Sequence, residues 1–158
     1  MTSFPHNENI KSLIESAKKN IRESDQLSPV FFLGIEDGIG VFMPDFTDDA
    51  SKSKAADDIR QLVDTTGADW VLFIAESWAA GCKDEKEWAR MRADFGPSVS
   101  TWPTAKEVVL FRLETPAGCW GGTADILAGR ELGTIEWQHN QEERGRFTGF
   151  FAKKETAH

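Results

Sequence analysis

The spacing of apolar positions changes several times along the chain, and each change marks an element. From Asn9 to Ser24, Ile10, Leu13, Ile14, Ala17 and Ile21 recur at helical spacing, while Lys11, Glu15, Lys18 and Glu23 fall off that stripe. Asn7 or Asn9 offers a short side-chain oxygen to the unpaired amides of the first turn. After Ser28-Pro29, apolar runs at 30–36 and 39–43 flank Asp37-Gly38, a pair that tolerates the positive φ angles of a type I′ turn and predicts a hairpin. Gly34 and Gly40 inside those strands point to a bulge or a close backbone approach, and Pro44 stops the ladder. A second stripe of Ala55, Ala56, Ile59, Leu62 and Val63 follows the acceptors Asp48, Asp49 and Ser51 and exits at Gly67.

The most apolar stretch is ADWVLFIAESW, residues 68–78. Every residue from Trp70 to Ala75 is apolar, so both faces of this strand are expected to be covered, as at the centre of a sheet. With the second helix before it, the unit 39–76 reads as a right-handed βαβ crossover with two parallel strands. Residues 79–104 are less regular: a short helix over DEKEWARMRADF, then GPSVSTWPT, where Gly96-Pro97 and Trp102-Pro103 break any helix. Four strand-like runs close the chain, KEVVLFRLET, CWGGTADILAG, LGTIEWQ and GRFTGFFA, with turns at PAG and HNQEERG. The expected fold is α+β, a mixed, mostly antiparallel sheet with two main helices packed on one face, in the order α-β-β-α-β-(short α/loop)-β-β-β-β. A length of 158 residues suits a single domain over 1–158, with 1–8 and 153–158 as flexible ends.

Charge narrows the partners. Lys plus Arg number 18 against 26 Asp plus Glu, and a net charge of -8 opposes approach to nucleic-acid phosphates. Lys18-Lys19 and Lys153-Lys154 are the only adjacent basic pairs. The opening MTSFPHNENIKSLIES lacks a cationic segment followed by an apolar run, and no stretch is of membrane-crossing length, so a cytoplasmic protein without membrane or nucleic-acid partners is expected. Cys82 and Cys119 are isolated, and His6, His139 and His158 show no metal-binding spacing, so neither metal nor other cofactor is expected. The acidic group Asp45, Asp48 and Asp49 lacks the Gly and Glu of a calcium loop and reads as helix capping and solubility. Gly34, Gly38 and Gly40 straddle a turn with no helix start behind them, unlike a phosphate loop.

One carboxylate stands out. In a strand's period of two, Glu76 shares a face with Trp70, Leu72, Ile74 and Trp78, and a carboxyl beside two indoles would have its pKa raised by desolvation. That supports one reading: a small-molecule enzyme or ligand sensor with a pocket at the end of the central strand, Glu76 as acid/base and Trp78, Trp88 and Trp102 as walls. The plainer reading is that Glu76 marks where the strand emerges and pairs with an Arg such as Arg112 or a backbone amide. Ser77 sits in AESWA, outside any nucleophile elbow, and Cys82 with His139 is the thiol–imidazole pair the composition leaves open. Six Trp, eleven Phe and no Tyr make the aromatic usage unusual, and Trp78, Trp88 and Trp102 gather around the irregular segment. The preferred expectation is a non-enzymatic protein that acts through protein–protein interaction or self-association as a homo-oligomer. Its contact surface would be these Trp residues or an exposed sheet edge, and its acidic surface suits a basic partner.

Overall fold

The computed structural model describes residues 7–23, 27–44, 48–140 and 150–151. Helix α1 (Glu8–Glu23) starts at Asn7, whose Oδ1 accepts from the amides of Asn9 and Ile10 at 2.8 and 3.3 Å. Strands β1 (Val30–Ile35) and β2 (Gly38–Phe42) form the hairpin. Helix α2 (Asp49–Thr66) begins at a reciprocal cap: Ser51 N donates to Asp48 Oδ1 at 2.7 Å, and Asp48 N donates to Ser51 Oγ at 3.0 Å. It ends where Gly67, at φ 68°, donates its N–H to the Val63 carbonyl. Strand β3 (Trp70–Ala79), helix α3 (Glu85–Phe95) and strands β4 (Lys106–Thr115), β5 (Gly118–Asp125) and β6 (Glu136–Asn140) follow.

The six strands make one sheet in the order β2-β1-β3-β4-β5-β6, each neighbouring pair antiparallel. The α+β class and the order of elements are those expected. Strands β2 and β3 do run in the same direction, but β1 lies between them. A two-residue loop keeps β1 on β2, which leaves the other edge of β1 for β3. The loop residues are Glu36 and Asp37, not Asp37 and Gly38: Ile35 pairs with Gly38, which opens β2 at φ 152°, a conformation that side chains disfavour. Asp37 is not among the positive-φ residues, so the turn is not type I′.

The two main helices lie on opposite faces of the sheet, not on one. Ile10, Ile14, Ala17 and Ile21 of α1 join Trp70, Leu72, Ile74, Val109, Phe111 and Leu113 in one cluster, whereas Ile59 and Val63 of α2 join Phe31, Leu33, Val71 and Phe73 in the other. The physical reason is β3 itself, whose six residues from Trp70 to Ala75 are buried in succession. Alternate side chains point to opposite faces, so an all-apolar strand needs cover on both, and one helix serves each.

Gly34 is the register partner of Trp70, and a Cβ at Gly34 would lie 2.1 Å from the indole Nε1. The close approach expected at this glycine is therefore to a buried side chain laid across the strand. Gly122 pairs with Trp137 in the same way, a Cβ there meeting the indole at 2.9 Å. Of the last predicted run, only Phe150 and Phe151 are described; they form a turn, and both are buried against the α2 side. The remainder of that run, the end segments 1–6 and 152–158, His6, His158 and Asp45 lie outside the described residues.

Gly34→Ala should lower stability by about 1–3 kcal/mol through overpacking, measured by urea unfolding. Gly40→Ala, whose new Cβ would sit 3.7 Å from Leu33 in ordinary contact, is the control and should change little. Equal effects would refute the role assigned to the Trp70 contact. A second expectation concerns pH. Hydrogen bonds from the Ser51 backbone and side chain hold the Asp48 carboxyl below the ordinary aspartate range. The stabilisation is present above that range and is lost as pH falls through the depressed folded value. The stability difference between the wild type and Asp48→Asn should therefore shrink between pH 6 and pH 3.

Candidate functional site

Glu76 sits where β3 outruns β1. The β1 pairing stops at Val30 with Ile74, while β4 continues beside β3 as far as Ala79 with Lys106, so β3 extends three residues beyond Glu76, where the sequence has it emerge. At this open edge Glu76 Oε1 accepts from Leu27 N at 2.9 Å and forms an ion pair with Arg130 Nη2. Arg130 Nε in turn donates to the Ile21 carbonyl at 2.8 Å. The clasp thus joins the end of α1, the entry to β1, strand β3 and the short turn Ala128–Arg130.

Arg130 reaches this position because its backbone is left-handed, at φ 57°, directly after Gly129 at φ 71°. Both charged side chains are sheltered, 17% exposed for Glu76 and 23% for Arg130. Charge-assisted bonds at such partial burial are shorter and stronger than neutral ones. The Arg partner is thus Arg130 and not Arg112, the example the sequence offers, which is on the opposite face. Glu76 pairs with Val109, and odd positions of β4 share its side, so Arg112 projects away. What the clasp does chemically is to hold backbone: its carboxylate accepts from a main-chain amide and a guanidinium that itself grips a carbonyl.

Of the three tryptophans, two are in ring contact. Trp102 is buried, donates from Nε1 to the Gly96 carbonyl at 2.9 Å, and lies edge-on to Trp88 with ring centroids 6.0 Å apart. It supports Trp88 from beneath. Trp78 has no ring contact with either among the described residues. Trp88 is 44% exposed with the Arg92 guanidinium 5.3 Å from its ring centroid, and Phe95, one turn beyond Arg92, is 42% exposed. Helix α3 buries only Met91 of its 11 residues. Phe95 completes this outward face but was not singled out in the sequence; its position seven residues after Trp88 is the signal, hidden by a short helix without an amphipathic stripe.

Cys82 and His139 are held apart. His139 lies opposite Trp120, in the row that runs through Leu113 to Leu72, whereas Cys82 comes three residues after Ala79, which ends β3 seven residues further along. At about 3.4 Å per residue Ala79 is roughly 24 Å along the sheet from that row, farther than the three residues to Cys82 can reach back. Cys82 and Cys119 are not joined in a disulfide, and Cys119 is buried. Among the described residues, no group of three or more His, Cys, Asp or Glu is placed to hold a metal ion, and no helix is long and apolar enough to cross a membrane.

Compared with protein-family models, curated proteins and solved structures, the chain finds no match.

If the Glu76–Arg130 clasp is architectural, Glu76→Gln and Arg130→Met should each cost about 1–3 kcal/mol in urea unfolding. The double variant should cost less than their sum, because the two side chains share one interaction. Additive or negligible losses would refute the clasp.

Proposed function

We propose that this protein acts by contact with another protein, through the outward face of α3. The observation that carries this reading is the combination of Trp88, Arg92 and Phe95 on one exposed helix face, with Trp102 buried behind Trp88 as a rigid support. Aromatic and Arg side chains are enriched where partners anchor, because each covers a large area with few rotatable bonds to freeze. Electrostatics favour the same face. Residues 83–95 carry four cations (Lys83, Lys86, Arg90, Arg92) and four anions (Asp84, Glu85, Glu87, Asp94), so this segment is neutral in a chain of net charge -8. An approaching protein meets less repulsion here than over the acidic remainder. Glu76 offers no support for an enzyme or sensor reading, since its carboxylate is engaged in joining backbone segments.

A second surface favours self-association. Strand β2 ends the sheet, pairs only with β1 among the described strands and carries no charged residue; Val41 is 60% exposed and Met43, just beyond it, 65%. These side chains border an apolar groove of about 460 Å³ with Leu27, Val30 and Phe32. An uncharged edge strand invites another strand, and a second copy pairing antiparallel through β2 would extend the sheet across a two-fold axis.

The two surfaces are separable by experiment. Affinity capture from a host extract with the intact chain and with Phe95→Glu tests α3; a protein retained by the first and lost with the second is the expected result, and identical retention would sink the proposal. Sedimentation velocity over a concentration series tests β2. A dimer that Val41→Lys disrupts and Phe95→Glu does not would assign self-association to the sheet edge.

A further inference from the structure

The face of β4, β5 and β6 on the α2 side of the sheet holds a second polar feature, unrelated to α3. Arg112 pairs with Gly121, and Gly121 with Gln138, so the row across the three strands reads Arg112, Gly121, Gln138. The glycine in the middle has no side chain, and a notch opens between the other two. The adjacent row on the same face is Leu110, Thr123, Glu136. Together these residues line a concavity of about 200 Å³.

Arg112 is half-buried, and its Nε has no hydrogen-bond partner. Among the described residues its guanidinium makes no hydrogen bond, ion pair or ring contact of any kind. In a chain with 26 carboxylates this is unusual, because a sheltered cation without a counter-charge is costly and buried donors are nearly always satisfied. The nearest carboxylate along its own strand, Glu114, is directed to the amides of Phe150 and Phe151, at 2.6 and 3.3 Å. Glu136 lines the same notch yet forms no ion pair with Arg112.

We propose that this notch binds a small zwitterion, a free carboxylate that also carries an ammonium group. Arg112 takes the carboxylate with the Gln138 amide beside it, since a guanidinium presents a planar fork matched to two oxygens. Glu136 takes the ammonium. A dianion such as phosphate would face the Glu136 carboxylate and is disfavoured. Size points the same way. The volume equals six or seven waters at about 30 Å³ each and is below the ~300–1,000 Å³ of sites for drug-sized ligands, so the occupant has few heavy atoms.

The test follows the Arg112 side-chain Nε–Hε resonance of the ¹⁵N-labelled full chain during titration with glycine and β-alanine, and with acetate and methylammonium as the separate halves. Saturable displacement by a zwitterion is expected, with the dissociation constant raised about tenfold or more in Glu136→Gln, while acetate binding is unchanged or improved. In Arg112→Gln, read on the Gly121 and Gly122 amides, the response should vanish. The Nε signal of the unaltered chain together with Glu136→Gln carries the test if Arg112→Gln does not fold. No saturable shift with either zwitterion overturns the proposal. So does acetate binding as tightly as both zwitterions with no effect of Glu136→Gln, because the ammonium would then have no role.

Discussion

Covering β3 on both faces is the requirement from which the rest of this architecture follows. Trp70, Leu72 and Ile74 point to the α1 side, Val71, Phe73 and Ala75 to the α2 side, and all six are buried. Sheltering large apolar side chains is worth about 1.5–3 kcal/mol each, so leaving either face open would forfeit several such contributions. Two helices are therefore recruited to opposite sides, and β1 and β4 to the two edges. The chain accomplishes this by returning from β2 through α2, which places β3 beyond β1 rather than beside β2. Gly34 then permits the Trp70 indole to lie across the β1 backbone, tightening the α1 side where a side chain would block it.

Carboxylates act as fasteners where this layered core meets irregular chain. Glu76 accepts the Leu27 amide at the edge left by β1, and Glu114 accepts the amides of Phe150 and Phe151 deep on the other face. In each case a segment without a strand partner would bring bare N–H groups to a sheltered place, and a side-chain oxygen from the sheet satisfies them. The Phe150 and Phe151 rings follow their amides into the α2-side cluster, Phe150 meeting Phe31 edge-on at 6.3 Å. Glu76, the acidic residue that looks like candidate chemistry in a linear reading, is here part of the framework.

The surfaces not consumed by that framework are unlike one another. Helix α3 presents aromatic rings on a neutral patch, β2 an uncharged edge, and the β4–β6 face an unpaired guanidinium above a glycine. The protein contact proposed for α3 and the small-molecule site proposed for the β4–β6 notch are compatible in one chain, since they occupy separate elements and ask for different ligands.

Local rules sufficed for much of this. The stripe of α1, the Asp48 and Ser51 cap, the Gly67 exit and the run of apolar residues in β3 are all set by interactions within a few positions, so periodicity and cap chemistry reveal them in the sequence alone. The all-apolar β3 even implied cover on both faces, but nothing within a few residues says which helix goes where. Partner choice at long range is what the tertiary structure decided. Arg130 is 54 residues from Glu76 and meets it only because a left-handed backbone turns it back over the end of α1. Strand parity sends Arg112 to the other face, and pairing across β5 brings it level with Gln138 over Gly121. Such contacts depend on register and face, which emerge when distant segments pair, and a linear spacing of residues carries neither.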